Sequence, residues 1–144
     1  GDNHNSALSD DYNEFGSNLI QKIYKNDDII DHIDCGGFSS YILLKDKTLK
    51  CCGNNDYSKF TLLLNGIQIS QFSCGVQHTG CLAINNELIM IGSNVYRQRG
   101  NNGSNEYYSG NEIAIENEVI ISVKSGGFYT IIKTENNAYY SFGR

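Results

Sequence analysis

The chain contains short stretches in which apolar and polar residues alternate. Three of them, residues 29–33, 67–72 and 119–123, have the period of two that is typical of strands. Each is followed by a glycine step and by two further apolar runs, which are separated by a charged or amide turn. Two apolar runs around such a turn indicate a β-hairpin. We therefore predict an all-β fold built from antiparallel strands.

The same unit occurs three times. The segments that begin at Cys35, Cys74 and Ser125 superimpose without a gap, and the first and last glycines of each segment are seventeen positions apart. Glycine permits backbone angles and close approaches that a β-carbon would obstruct. We interpret these glycines as structural positions of a repeat: Gly36 and Gly53, Gly75 and Gly92, Gly126 and Gly143.

The repeat predicts the architecture. The units cover approximately residues 1–52, 53–91 and 92–144, and each supplies about three strong strand signals and a variable fourth region, which suits a blade of a β-propeller. A small sheet cannot bury its two apolar faces alone, so the units must stack face to face. The stacking residues that we expect are apolar strand residues: Ile42, Leu44, Leu82, Ile84, Ile131 and Ile132. We predict one partial β-propeller domain over residues 1–144, with about three four-stranded antiparallel blades.

Composition and charge narrow the class of protein. The 144 residues are 40% hydrophobic and 19% charged, which is within the globular range, and the formal net charge is −5. Apart from Arg97 and Arg99 the basic residues are scattered, so no positive stripe is available for a phosphate backbone. No run of eighteen apolar residues exists, and the first residues lack the regions of a signal peptide. We expect an intracellular chain, cytoplasmic or nuclear, with no direct nucleic-acid partner and no membrane partner.

Candidate chemistry is sparse. The five cysteines lack the paired spacings of a zinc site or a disulfide framework, and we expect reduced, mostly buried thiols. His78 lies between Cys74 and Cys81, but a structural role is favoured over a metal site, because three ligands from one hairpin have no specified geometry. Asp10 and Asp11 indicate a solvated loop rather than a calcium or hydrolytic pair. We expect no catalytic residue, no metal and no cofactor.

The order of motifs resembles the repeat of the regulator of chromosome condensation family. In that repeat a Cys-Gly or Ala-Gly step, a His-Thr pair, an apolar strand, a Trp-Gly-x-Asn step and a Gly-Gln-Leu-Gly tail follow one another. The middle unit matches best, with Cys74-Gly75, His78-Thr79, Leu82, Ile91-Gly92-Ser93-Asn94 and Arg97-Gln98-Arg99-Gly100. The other units diverge, with Ser39-Ser40 and Tyr129-Thr130 at the His-Thr position and with Cys52 and Phe142 where tryptophan is usual.

The resemblance implies a ring of about seven blades, which three units cannot close. We favour a piece of a longer protein, since the sequence lacks an initiator methionine. The alternative is that copies of the chain assemble and cover the two exposed sheet faces. The expected partners therefore include the remaining blades of the same protein or a second copy.

The connection from Asn94 to Gly110 is the candidate for binding another protein. It is longer than compact folds usually need, and long loops on rigid scaffolds often carry binding residues. Tyrosine and arginine are enriched at binding hot spots. The candidate residues of this loop are Tyr96, Arg97, Arg99, Tyr107 and Tyr108. The alternative is that they cover the outer strand of their blade.

The function that we predict is a non-catalytic scaffold for protein–protein interaction. The resemblance implies two alternatives. One is guanine-nucleotide exchange on a small GTPase, which some relatives perform with a loop and acidic side chains, although no segment here matches that apparatus. The other is a targeting domain of a larger enzyme, such as a ubiquitin ligase or a kinase.

Overall fold

The computed structural model describes residues 24, 27–53, 57–101 and 110–144. These residues form eleven strands and no helix, so the predicted all-β class is confirmed. No helix among them is long and apolar enough to cross a membrane. The chain divides into two compact units, residues 1–68 and 69–144, and each is described by itself.

The first unit contains one four-stranded antiparallel sheet whose strands are neighbours in chain order. Its strands are β1 (Ile30–Cys35), β2 (Ser39–Leu44), β3 (Leu49–Gly53) and β4 (Tyr57–Leu63). The exposed carboxylate of Asp31 accepts hydrogen bonds from Lys45 Nζ at 2.6 Å and from Lys47 Nζ at 2.8 Å, which ties β1 to the β2–β3 turn.

The second unit contains two antiparallel sheets. The strands of the second sheet are β5 (Ile69–Cys74), β6 (His78–Ala83), β7 (Leu88–Gly92) and β8 (Asn111–Ile113), again in chain order. The third sheet has three strands among the described residues: β9 (Ile120–Ser125), β10 (Tyr129–Thr134) and β11 (Tyr139–Gly143). The predicted hairpins are therefore present in each repeat.

The boundaries of the sheets do not coincide with the boundaries of the repeat units. Strand β4 lies in the repeat unit 53–91, yet it pairs with β3 in the first sheet. Strand β8 lies in the repeat unit 92–144, yet it pairs with β7 in the second sheet. Each four-stranded sheet thus takes its last strand from the following repeat unit, so consecutive repeats are joined by backbone hydrogen bonds.

The two sheets of the second unit stack face to face, as the repeat predicts. Their buried apolar side chains form one cluster: Leu82, Leu88, Met90, Ile120, Val123 and Ile132. Polar side chains of β5 also reach the next sheet, because the Val123 amide donates to Gln71 Oε1 and the Ser125 amide donates to Ser73 Oγ, both at 3.0 Å. Stacking therefore combines apolar burial with hydrogen bonds to an otherwise unpaired strand edge.

Two of the expected stacking residues are not buried. Ile84 is 56% exposed and Ile131 is 39% exposed, whereas Leu82 and Ile132 are 3% and 1% exposed. Ile84 follows the end of β6 and belongs to the turn. Ile131 alternates with Ile132 along β10, so its side chain points to the face opposite the second sheet. The expectation was wrong for Ile84, which lies in a turn, whereas Ile131 occupies the outer face of the third sheet, where no other described sheet of the second unit packs.

The five cysteines are free thiols. Cys51, Cys52 and Cys81 are buried, Cys74 is partly buried and Cys35 is exposed, in agreement with the expected mostly buried thiols. Burial raises the pKa of the Cys51 thiol to about 12, so this side chain stays protonated and unreactive at neutral pH.

Gly80 allows a close approach between the second and third sheets. A β-carbon built on Gly80 would lie 2.6 Å from Val123 Cγ2 and 3.2 Å from Met90 Sδ. The equivalent positions of the other two repeats carry Tyr41 and Ile131. The glycine at this position is therefore matched to the valine of the sheet that packs on it.

We expect Gly80→Ala to lower the free energy of unfolding by about 1–3 kcal/mol, because the added methyl group overpacks the contact with Val123. Val123→Ala alone should also destabilise the chain, since it leaves a cavity. The double variant Gly80→Ala, Val123→Ala should lose less free energy of unfolding than the sum of the two single variants. The methyl group added at position 80 occupies the space that the shortened side chain at position 123 leaves. Urea denaturation of the four proteins measures this, and simple additivity would contradict the matched contact.

Candidate partner-binding surface

Residues 93–101, the described part of the loop after β7, divide into buried and exposed side chains. Asn94, Gln98 and Arg99 are 6%, 0% and 2% exposed. Val95 and Tyr96 are 62% and 38% exposed. Two apolar side chains thus point outward while three polar or charged side chains point inward, the reverse of the usual distribution.

The buried side chains hold the loop by hydrogen bonds to its own backbone. Asn94 Nδ2 donates to the carbonyl and the side-chain oxygen of Asn101, at 3.1 and 3.0 Å, and the Arg99 amide donates to Asn94 Oδ1 at 3.0 Å. The Tyr96 amide donates to Gln98 Oε1 at 2.8 Å. Because these bonds fix the loop from the inside, Tyr96 is displayed in a defined position without a partner present.

The residues predicted to bind a partner are placed differently from one another. Arg97 is exposed and has a φ of 60°, in a turn closed by its amide and the Asn94 carbonyl at 2.9 Å. Arg99 Nη1 donates to the Gly92 carbonyl at 3.3 Å, so this buried guanidinium supports the loop rather than its surface. Tyr107 and Tyr108 lie outside the described residues.

Two residues that the sequence analysis missed lie beside Tyr96. The Phe128 ring contacts the Tyr96 ring, with centroids 4.9 Å apart, and the Arg144 guanidinium carbon lies 5.5 Å from the Tyr96 centroid. The repeat alignment contains a signal for them, because residue 128 and residue 144 both belong to connections at the same end of the repeat as Tyr96. We call Val95, Tyr96, Arg97, Phe128 and Arg144 the tyrosine rim.

A buried hydrogen-bond chain anchors this loop to both sheets of the second unit. Thr130 Oγ1 donates to the Gln98 carbonyl at 3.0 Å and lies 3.0 Å from His78 Nε2. A hydroxyl has one proton, so Thr130 must accept from His78, and the imidazole carries its proton on Nε2. Burial lowers the pKa of His78 to about 4, so the ring is neutral at physiological pH.

Within the second unit, the repeat glycines lie at the same strand ends as the tyrosine rim. Gly92 and Gly143 have φ values of 95° and 104°, and a β-carbon on them would lie 2.4 Å from the Gln77 carbonyl oxygen and 2.3 Å from that of Phe128. Gly53 has a φ of 111°. The first glycines of these repeats are also close to side chains. A β-carbon on Gly75 would meet the His78 ring, and one on Gly126 would meet the Tyr129 ring. Gly36 precedes the β1–β2 turn of the first sheet.

The two ends of the second unit differ in charge. The described connections at the tyrosine-rim end contain three arginines and no acidic side chain: residues 75–77, 93–101, 126–128 and 144. The connections at the opposite end contain four glutamates and no lysine or arginine: residues 84–87, 114–119 and 135–138. We call this second set of connections the glutamate rim. Positive side chains of the connections therefore lie at one end of the strands, and negative side chains lie at the other.

Each unit contains a cavity among its described residues. One, of about 300 Å³, is at the glutamate rim and is lined in part by Asn86, Glu87 and Glu118. The other, of about 510 Å³, is in the first unit and is largely apolar, with Ile33 and Phe60 in its wall. Within the described part of the chain, no three His, Cys, Asp or Glu side chains are grouped so that they could hold a metal ion.

The sequence of residues 30–58 matches the regulator of chromosome condensation (RCC1) repeat. These residues therefore correspond to one RCC1 repeat. The resemblance predicted from the motifs is thereby confirmed, although the family match falls on the first sheet rather than on the middle unit, whose motifs correspond best. By sequence over its whole length, the chain has no significant match among curated proteins.

Solved structures show the same fold. Human WBSCR16 matches 99% of this chain and 41% of its own, with a TM-score of 0.86 and 16% identity. Prp20p from Saccharomyces cerevisiae matches 80% of this chain and 31% of its own, with a TM-score of 0.71 and 12% identity. The CRINKLY WD40 ectodomain of the Arabidopsis thaliana receptor kinase ACR4 matches 90% of this chain and 44% of its own, with a TM-score of 0.60 and 14% identity. The β-propeller is the fold, and the chain spans less than half of each of these proteins.

His78 makes stability depend on pH. Its pKa is about 4 in the folded chain and near 6.5 when unfolded, so between about pH 6.5 and pH 4 mainly the unfolded state binds the proton. We expect the free energy of unfolding to fall as the pH decreases from about 6.5 to about 4, by up to about 3 kcal/mol. Urea denaturation at several pH values measures this slope.

The control is His78→Gln, which keeps an amide donor but does not titrate. It should show a smaller decrease between pH 6.5 and 4 than the unchanged chain. Asp31, whose pKa Lys45 and Lys47 lower to about 2, loses its contribution only at lower pH, so the two groups act in separate ranges. Equal slopes for the two proteins would contradict the assignment to His78.

Proposed function

We propose that the chain is a non-catalytic, intracellular scaffold that binds another protein through the tyrosine rim. The observation that carries the proposal is the fixed display of Tyr96. It is 38% exposed, yet its ring contacts Phe128 and its backbone amide is held by Gln98 Oε1. An exposed aromatic side chain that is already ordered loses little conformational entropy when a partner binds.

The composition of the rim also favours a protein partner. Val95, 62% exposed, lies next to Tyr96 at the tip of the turn, and Arg97 follows. An apolar centre with aromatic and arginine side chains is the composition enriched in the energetically important part of protein–protein interfaces. The structural similarity to Prp20p supports the same class of function, because that protein was described with its binding properties to Gsp1p and histones.

Two other functions remain candidates on specific grounds. The similarity to Prp20p, with its binding to Gsp1p, favours guanine-nucleotide exchange on a small GTPase. The similarity to the ectodomain of a receptor kinase favours a targeting domain in a larger enzyme. Release of labelled nucleotide from a panel of small GTPases tests exchange activity, and no acceleration by a protein with the whole propeller would exclude it.

The scaffold proposal predicts a site-specific contact with another protein. With p-benzoylphenylalanine in place of Tyr96, irradiation in an extract of the source organism should give a covalent adduct with a defined protein, which mass spectrometry identifies. The matched control carries the same group in place of Asn136, an exposed residue of the glutamate rim. The adduct should form from position 96 and not from position 136, because only the former lies on the proposed surface.

The same crosslinking experiment can contradict the proposal. No adduct from position 96, or the same set of adducts from both positions, would contradict a specific binding surface at the tyrosine rim. Tyr96→Ala introduced into the identified complex should weaken binding by about 1–2 kcal/mol, as expected for an aromatic hot spot, and the dissociation constant measures this.

A further inference from the structure

We infer that the tyrosine rim recognises an acidic peptide segment that carries one bulky apolar side chain. The inference rests on the proposed function and specifies the chemistry of the partner. Its basis is the charge separation within the second unit together with the apolar side chains of the tyrosine rim.

The sign of the charge at this end is opposite to that of the whole chain. The formal net charge of the chain is −5, whereas the described connections at the tyrosine-rim end carry only positive side chains. The glutamates lie at the opposite strand ends. A negatively charged segment is therefore attracted to the tyrosine rim and repelled from the glutamate rim, which orients the approach of a partner before contact.

The exposed arginines are available to a partner. Among the described residues, the ion pairs are formed by Lys45, Lys47 and Lys50, and none involves Arg97 or Arg144. Arg97 is held in a turn that leaves its side chain exposed. Arg144 places its guanidinium beside the Tyr96 ring, a geometry in which the planar group keeps donors for a carboxylate.

The apolar part of the tyrosine rim accounts for the bulky apolar side chain of the peptide. Val95 is 62% exposed and Tyr96 is 38% exposed, and the Phe128 ring lies against Tyr96. Tyr96 and Phe128 thus form a small apolar surface beside Arg144, and Val95 and Arg97 flank Tyr96 in the chain. This surface matches one bulky apolar side chain, such as phenylalanine or leucine, whose burial provides affinity while the flanking carboxylates pair with the arginines.

The same features disfavour a nucleic acid as the occupant. A phosphate backbone is bound by several cations along a stripe, and its affinity depends on how many phosphates are neutralised. The described part of the tyrosine rim offers two exposed arginines and an exposed valine. A peptide uses both the charged and the apolar parts of this surface, so we commit to an acidic peptide, and nucleic-acid binding becomes an outcome of the test.

The experiment is selection from a random peptide library displayed on phage against the immobilised chain. Binders that also bind the Tyr96→Asp variant are removed. We expect the enriched peptides to contain aspartate or glutamate on both sides of one bulky apolar residue. The dissociation constant of a labelled enriched peptide, measured by fluorescence anisotropy, should rise with salt concentration, because part of the affinity is electrostatic.

Charge variants test the role of the arginines. Arg97→Asn removes the charge and tolerates the left-handed backbone at this position, so it should weaken binding about two- to fivefold without changing the fold. The matched control is Lys133→Gln, which removes one positive charge from β10, outside the tyrosine rim, and should leave the affinity unchanged. Circular dichroism verifies that each variant keeps its strands.

The outcomes separate this inference from the proposed function. Enrichment of basic or uncharged peptides, no enrichment, equal effects of Arg97→Asn and Lys133→Gln, or tighter binding of a single-stranded oligonucleotide would each overturn the acidic-peptide inference. An adduct from position 96 with a protein that lacks such a segment would do the same while leaving the scaffold function in place. Absence of that adduct overturns the scaffold function itself.

Discussion

The second unit depends on the buried contact between its two sheets. Gly80 removes the side chain that would otherwise obstruct Val123, and His78 donates across the same interface to Thr130. Thr130 in turn donates to the Gln98 carbonyl in the loop that carries Tyr96. Because a buried polar group without a partner is costly, this chain of bonds fixes the stacking of the sheets and the position of the loop together.

In the loop after β7, the residues of the repeat motif are buried and hold the backbone, and the residues between them form the exposed surface. The asparagine, glutamine and second arginine of the motif, Asn94, Gln98 and Arg99, are buried and hold the backbone. Val95 and Tyr96, which lie between them, are exposed. The motif positions thus have a structural role, and the positions between them are open to change without loss of the loop. This arrangement suits a scaffold on which different binding surfaces can be built.

The outer face of the third sheet remains uncovered in this chain. Tyr129, Ile131 and Tyr139 are 45%, 39% and 66% exposed on or beside this face. An apolar sheet face of this kind is normally covered by a neighbouring sheet, and the chain spans only 41% of human WBSCR16 and 31% of Prp20p. The tyrosine rim lies at the strand ends instead, so a further sheet on this face and a partner on the rim do not require the same surface.

The sequence by itself determined the strands, the hairpins and the repeat, because these depend on local properties. Alternation with a period of two marks one face of a strand, and a glycine such as Gly92 marks a positive φ that other residues rarely adopt. It also predicted the loop of Tyr96 and Arg97 as a candidate for binding a partner, which stays a prediction. Tertiary structure decided the rest, since it depends on register and on contacts between distant segments. It buried Arg99 but exposed Arg97, and it brought Phe128 and Arg144 to Tyr96 across the stacked sheets.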